Sequence, residues 1–147
     1  MLRILLKAVA ILYLGTMLSG PAAAQDGVID APTALQLQNE GAITIVDIRR
    51  PQEWQDTGIP RGARAISMHH PDGPAGFLAA VLDSVDGDKS TPIALICASG
   101  VRSTWASTFL ARSGFTSVYN IKEGMLGRGR ASGWIARGNP VEPPPAQ

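Results

Sequence analysis

The chain has 147 residues, with 13 lysines and arginines against 12 acidic residues and a formal net charge of +1 at pH 7. This length is enough for one domain with a hydrophobic core but not for two ordinary domains, and the balanced charge gives no indication of a nucleic-acid or anionic-membrane partner. The single cysteine, Cys97, excludes an internal disulfide, a Cys-x-x-Cys redox pair and a cysteine zinc site. It is either a buried packing residue or one that is kept for its reactivity.

The first 24 residues have the three parts of a secretory signal peptide. Arg3 and Lys7 precede an apolar stretch over 8–18, and three alanines at 22–24 form an Ala-x-Ala cleavage site before Gln25. The apolar stretch is short compared with the roughly 20 residues of a membrane span, although an uncleaved, anchoring N-terminus is the alternative. We therefore expect residues 1–24 to be a signal peptide and the mature protein to be periplasmic, with no stable membrane association after cleavage.

The first half of the mature chain alternates helical and strand patterns. A helix is predicted from Asp30, with a proline in its first turn, to about Gly41. The continuous apolar run over 42–48, "AITIVDI", is typical of a strand buried in a parallel sheet. A short helix or turn over 49–58, a strand at about 65–68 and a loop over 69–76 follow.

The second half repeats this alternation and ends in a proline-rich segment. Predicted elements are a helix over 77–85, a strand over 92–96, a helix from 102 or 103 to 112, a strand over 116–119, and short helical pieces over 122–126 and 134–137. Residues 142–147 are predicted to be an extended or disordered tail. The pattern indicates one small α/β domain over 25–141 with a mainly parallel sheet.

Cys97 lies where sites gather in such domains, after a strand and before a helix. Ala98, Ser99 and Gly100 are small, and Gly100 can adopt a positive φ at little cost. The backbone N–H groups of this loop and of the following helix can therefore converge on the sulfur and stabilise a thiolate. Arg102 could add a positive field or bind the loop carbonyls. This context favours a reactive cysteine over a packing one.

The spacing between Cys97 and Arg102 bears on the chemistry. Phosphatases that use cysteine have five residues between their cysteine and arginine, whereas four residues stand between them here. A shorter loop makes a smaller cradle, which suits a single sulfur better than a tetrahedral phosphate. No general acid for a leaving alkoxide is identified in the sequence. The loop therefore favours sulfur transfer.

Four ordered motifs resemble the rhodanese family of sulfurtransferases, in its exported single-domain form. The segment "CASGVRS" is similar to the active-site loop of that family, and "VDIRRPQEW" is similar to its Asp-x-Arg-x-x-x-Glu-aromatic element at Asp47, Arg49, Glu53 and Trp54. The segments "GIPRGARAI" and "VYNIKEGMLGRGRASGWIARGNPV" also match. The resemblance extends over about 29–141 and implies a rhodanese-like fold.

This resemblance implies a two-step exchange without metal or organic cofactor. The Cys97 thiolate takes a sulfur from a small anionic donor such as thiosulfate, and the resulting persulfide passes it to cyanide, a thiol or a protein acceptor. Asp47, Arg49 and Glu53 are expected to support the site structurally. The expected substrate-binding residues are those of the loop: Ala98, Ser99, Gly100, Val101, Arg102 and Ser103.

The chain departs from the family pattern in two places. The first is expected to change only a local loop, and the second leaves the substrate open. The usual histidine before Ile59 is absent, and Arg61 is added before Gly62. Ala98 and Ser99 stand where some thiosulfate-using members have basic residues, so Arg102 is the only charge in the loop. Alternatives to the enzyme are a persulfide-binding module that works with a protein partner, a thiol sensor and a cysteine phosphatase.

Overall fold

The computed structural model describes residues 25–146, so the predicted signal peptide over 1–24 lies outside the described residues. The elements in chain order are β1 (Gln25–Ile29), α1 (Ala31–Asn39), β2 (Thr44–Asp47), α2 (Pro51–Thr57), β3 (Ile59–Pro60), β4 (Arg64–Ala65), α3 (Gly73–Asp83), β5 (Ile93–Ile96), α4 (Val101–Arg112), β6 (Ser117–Ile121), β7 (Gly127–Arg128), β8 (Ala131–Ser132) and β9 (Val141–Glu142). No helix within 25–146 is long and apolar enough to cross a membrane.

A parallel sheet of five strands forms the centre, in the order β1-β6-β5-β2-β4. The central strand β5 pairs with β2 on one side and with β6 on the other. All four of its residues are buried, which explains its uninterrupted apolar sequence. The α/β architecture with a mainly parallel sheet that the sequence predicts is confirmed.

The sheet separates two hydrophobic clusters, because successive side chains of a strand point to opposite faces. Along β5, Ile93 and Leu95 lie on one face together with Cys97, whereas Ala94 and Ile96 lie on the other. The first cluster includes the apolar sides of α3 and α4, and the second includes α1 and the turn after β6. Cys97 therefore belongs to the face that α4 covers.

Three predicted elements differ from the structure. The segments over 122–126 and 134–137 form turns rather than helical pieces, and an antiparallel hairpin of β7 and β8 lies between them. Gly124, Gly127 and Gly129 all have positive φ, a conformation that interrupts a helix and suits turns. The third helix begins at Gly73, because Pro74 occupies its first turn, so the loop predicted over 69–76 is too long.

Short strands pair the first and last parts of the described segment with the rest of the domain. β1 has no counterpart among the predicted elements; it pairs with β6 at the edge of the sheet. At the other end, β9 pairs with β3, and the Glu142 carboxylate accepts a hydrogen bond from the Gly62 N–H at 3.0 Å.

Candidate active site

The carboxyl ends of three neighbouring strands bring polar residues to one edge of the sheet. Asp47 is the last residue of β2, Cys97 directly follows β5, and Asn120 lies near the end of β6. All three are buried. Parallel strands place their carboxyl ends at the same edge, where α/β proteins form their sites.

The loop after Cys97 curls so that an N–H group points at the sulfur. Gly100 adopts φ 81° and ψ −5°, and its N–H donates to Cys97 Sγ at 3.1 Å. The carbonyls of Cys97 and Ala98 turn away and accept hydrogen bonds from Met125 N at 2.8 Å and Leu126 N at 2.9 Å. The loop therefore presents donors to the sulfur, while its acceptors are occupied by the turn after β6.

Hydrogen bonds offset the effect of burial on the Cys97 thiol. Burial raises the pKa of Cys97, but the Ser103 hydroxyl and the backbone N–H groups of Ser103, Ser99 and Gly100 lower it by more, so the pKa lies below that of an ordinary thiol. The first turn of α4 also directs its unpaired N–H groups and the positive end of its dipole toward this point. The surroundings therefore favour a thiolate.

A short chain of side-chain hydrogen bonds lies behind the sulfur. Ser103 Oγ is 3.3 Å from Cys97 Sγ and 2.6 Å from Asn120 Oδ1. Asn120 Nδ2 donates to Thr104 Oγ1 at 2.9 Å, and the Thr104 hydroxyl donates to the Gly100 carbonyl at 2.7 Å. The sulfur is thus linked through three polar side chains back to its own loop.

Arg102 is held by Glu53 rather than by the loop carbonyls. Its guanidinium donates two hydrogen bonds to the Glu53 carboxylate, at 2.8 and 2.7 Å. These bonds raise the pKa of Arg102 and hold the pKa of Glu53 at about 2. The only charged side chain of the loop is therefore paired, which reduces the positive field that it offers to an anion.

Asp47 and Arg49 form a buried ion pair that holds α2 against the sheet. Arg49 is 1% exposed and contacts the Asp47 carboxylate through Nε and Nη2, the latter at 2.7 Å. The same guanidinium donates to the carbonyls of Glu53 and Gly58 and to the Thr57 hydroxyl. Removing one member of such a pair leaves a buried charge unpaired and costs about 3–5 kcal/mol.

A family model matches most of the part of the chain that forms this fold. The model of the Rhodanese-like domain matches residues 30–128, a range that contains Cys97 with its whole loop as well as Asp47, Arg49 and Glu53. The chain belongs to the rhodanese family.

The similarity to individual proteins extends over most of this rhodanese domain. The uncharacterized protein RP600 of Rickettsia prowazekii is 31% identical over 99 residues, which are 61% of this chain and 75% of that protein. Among solved structures, Rv0390 from M. tuberculosis has a TM-score of 0.64 at 28% identity, covering 79% of this chain and 96% of its own. RPA3614 from Rhodopseudomonas palustris, described as a protein of unknown function and possible tyrosine phosphatase, has a TM-score of 0.56 at 27% identity, covering 79% and 84%.

Within the rhodanese loop, the predicted site residues differ in their placement. Gly100, Ser103 and the backbone N–H of Ser99 contact the sulfur. The Ala98 residue is half-buried and the Val101 side chain is exposed. The predicted residues also form pairs: Arg102 with Glu53, and Asp47 with Arg49.

Two residues of the site are not identified by the sequence analysis. Asn120 and Thr104 complete the hydrogen-bond chain behind Cys97. The sequence offers a signal for Asn120: it is a polar amide residue directly after the strand predicted over 116–119, at the sheet edge where Cys97 lies.

The Arg102–Glu53 pair predicts a pH dependence of stability. Because the pKa of Glu53 is lowered from 4.5 to about 2, its contribution is fully present above pH about 4.5 and is lost as the pH falls toward about 2. In Glu53→Gln the amide can still accept the hydrogen bond from Arg50 N but carries no charge. Urea unfolding should therefore show a stability difference from wild type that is constant near neutral pH and shrinks below pH about 4.5. A difference that stays the same down to pH about 2 would contradict this role of the pair.

Proposed function

We propose that this rhodanese is a sulfurtransferase that moves a sulfane sulfur from a donor such as thiosulfate to a thiophilic acceptor through a persulfide on Cys97. The observation that carries the proposal is the Gly100 N–H directed at Cys97 Sγ at 3.1 Å, in a loop with only four residues between cysteine and arginine. This arrangement holds an anionic sulfur by neutral donors, as an oxyanion hole holds oxygen.

The first step joins the donor sulfur to the protein. The Cys97 thiolate attacks the outer sulfur of thiosulfate, and its electron pair forms the new S–S bond. The bond between the two sulfur atoms of thiosulfate breaks, and sulfite leaves with that bond's electrons. The product is a persulfide whose terminal sulfur is anionic at neutral pH, where the N–H groups of the loop can stabilise it.

The second step returns the cysteine to its starting state. Cyanide attacks the terminal sulfur through carbon, the S–S bond breaks, and its electrons return to Cys97 as a thiolate while thiocyanate departs. A low-molecular-weight thiolate or a protein cysteine reacts in the same way and leaves as a new persulfide. We propose that this takes place in the periplasm, on the basis of the predicted signal peptide.

Two observations weigh against phosphatase activity, which the description of RPA3614 raises as a possibility for that protein. The guanidinium of Arg102 is occupied by Glu53 through two hydrogen bonds, so it is not free to bind two phosphate oxygens. The loop is also one residue shorter than that of cysteine phosphatases. We expect no hydrolysis of aryl phosphates.

Mass spectrometry of the purified protein after incubation with thiosulfate tests the proposal. We expect Cys97 to gain one sulfur atom and to lose it on addition of cyanide, with thiocyanate formed over many turnovers. A persulfide that forms without multiple turnover with any small acceptor would indicate a binding module that needs a protein partner. If no sulfur is gained from thiosulfate or from a glutathione persulfide, the proposal is wrong.

A further inference from the structure

The Ser103 hydroxyl has two neighbours and only one proton. Asn120 Oδ1, at 2.6 Å, carries no hydrogen, so Ser103 must donate to it. Toward Cys97 at 3.3 Å, Ser103 Oγ can then only accept, and the sulfur must donate as a protonated thiol. In this direction, the hydrogen-bond chain fits the thiol and leaves a thiolate without the Ser103 donor.

The same heavy atoms also allow the opposite direction. If the Asn120 amide rotates by half a turn, its nitrogen replaces its oxygen beside Ser103 and donates to Ser103 Oγ. Ser103 is then free to donate to the Cys97 thiolate. The amide oxygen now lies beside Thr104 Oγ1, originally 2.9 Å from Nδ2, and the Thr104 hydroxyl can turn from the Gly100 carbonyl to donate to it. That carbonyl keeps the Thr104 N–H as a donor, at 3.2 Å.

We propose that Ser103, Asn120 and Thr104 form a reversible hydrogen-bond chain that changes direction when Cys97 ionises, with Asn120 as the positioning residue. On ionisation the thiol proton is released to solvent, and the Ser103 proton turns from Asn120 to the sulfur. No bond to carbon, nitrogen or oxygen is formed or broken. The role of the chain in turnover rests on the proposed sulfurtransferase function, whereas the reversal itself concerns only the ionisation of Cys97.

The charged and titratable groups around Cys97 are separate from this chain. Arg102 and Glu53 are paired with each other, and so are Asp47 and Arg49. The substitution of Thr104 used below changes none of these charges. The charged and titratable groups nearest to the loop are Asp47 at the end of β2, Arg49 and Arg50 between β2 and α2, Glu53 on α2, His69 after β4, Arg102 on α4, and Lys122 and Glu123 after β6.

Thr104→Val separates a reversible chain from a fixed one. Valine removes the hydrogen bonds of Thr104 Oγ1 with Asn120 Nδ2 and with the Gly100 carbonyl. In the direction that fits the thiol, however, Asn120 Nδ2 keeps the Gly100 carbonyl at 3.4 Å, and that carbonyl keeps the Thr104 N–H at 3.2 Å, so both retain a partner. In the rotated amide, by contrast, the oxygen would lose its Thr104 donor and would lie beside that carbonyl. We therefore expect the variant to disfavour the thiolate, although Thr104 does not touch the sulfur.

The readout is the rate at which iodoacetamide alkylates Cys97, measured against pH. Since Cys97 is the only cysteine of the chain, the rate reports its thiolate alone. Below the pKa of the thiol, we expect Thr104→Val to react about three- to tenfold more slowly than wild type, as for one lost hydrogen bond, and Ser103→Ala at least about tenfold more slowly. Above that pKa the rates should converge, which a general loosening of the site would not produce.

Two controls make the test specific. Thr108→Val is the same change one turn along α4, where the hydroxyl donates to the Thr104 carbonyl and does not reach the chain, so its pH profile should match wild type. In a Ser103→Ala background, Thr104→Val should have no further effect, because it acts through Ser103.

The experiments can distinguish failure of the reversible chain from failure of the proposed function. If Thr104→Val leaves the alkylation rate unchanged at every pH, the reversible chain is wrong. It is also wrong if Thr104→Val slows alkylation by the same factor in the Ser103→Ala background as in wild type. That result leaves the sulfurtransferase proposal intact, provided that wild type still forms a persulfide. If the profile shifts as expected but no persulfide forms with any donor, the chain is supported and the proposed function fails.

Discussion

Cys97→Ser should abolish persulfide formation and sulfur transfer. The serine oxygen is a far weaker nucleophile at neutral pH than a thiolate, and it cannot carry a sulfur as a persulfide. Since Cys97 is the only cysteine, no other thiol of the chain can replace it. We expect a loss on the order of 10⁴-fold or more in the steady-state rate with thiosulfate and cyanide, and no added sulfur in the mass spectrum.

The fold should survive this substitution, so that the loss can be assigned to chemistry. A serine hydroxyl at position 97 can accept a hydrogen bond from the Gly100 N–H and form a hydrogen bond with the Ser103 hydroxyl, as the sulfur does. Circular dichroism and urea unfolding should therefore show a folded protein with a small change in stability. Sulfur transfer by a folded Cys97→Ser protein above the background of a heat-denatured sample would exclude Cys97 as the carrier.

The local geometry of the loop after Cys97 could be predicted from the sequence. The strand, the small residues, Gly100 and the helix start all lie within a few positions of Cys97. Their geometry follows from the short distances along the chain, because a strand that turns into a helix over three small residues must direct its N–H groups inward. The positive φ of Gly100 and the donation of its N–H to the sulfur follow from this local order.

Contacts between distant residues could not be read from the sequence in the same way. Arg102 and Glu53 are 49 positions apart, and Ser103 and Asn120 are 17 apart. Whether Arg102 faces the sulfur, the loop carbonyls or a carboxylate depends on where α2 packs, which is fixed by the buried Asp47–Arg49 pair. The sequence alone therefore leaves Arg102 as a source of positive field or as a donor to the loop carbonyls, whereas the fold pairs it with Glu53.

The pairing of Arg102 changes how the site must stabilise negative charge. The donors that contact the sulfur are neutral: the N–H groups of Ser99, Gly100 and Ser103 and, in the thiolate direction, the Ser103 hydroxyl. Dipoles fixed by the fold act at short range and are screened by salt less than a surface cation. This arrangement suits an anionic sulfur bonded to the protein more than the long-range attraction of a dianionic donor. It leaves thiosulfate as one of several possible donors.

Gly100→Ala should disable the site and lower the stability of the fold. At φ 81° the new side chain is strained by itself. A Cβ atom would also overlap the Lys122 carbonyl oxygen and lie 2.7 Å from its carbonyl carbon. The Lys122 backbone cannot move freely, because its N–H donates to the Ile29 carbonyl of β1 at 3.0 Å. The loop must therefore move, and the Gly100 N–H moves with it.

Gly41→Ala provides the matched control, because it also places a side chain at a positive φ but brings its Cβ atom into no overlap with a neighbouring residue. Gly41 has φ 69°, and nothing lies within 4 Å of the Cβ that alanine would add. We expect Gly41→Ala to cost about 1–2 kcal/mol of unfolding free energy and to transfer sulfur at the wild-type rate. Gly100→Ala should cost more than this in urea unfolding, and a displacement of about 1 Å at the sulfur should slow persulfide formation about 10²-fold. Equal stability of the two variants, together with a wild-type rate for Gly100→Ala, would mean that the N–H of Gly100 does not have to be held at the sulfur by this backbone conformation.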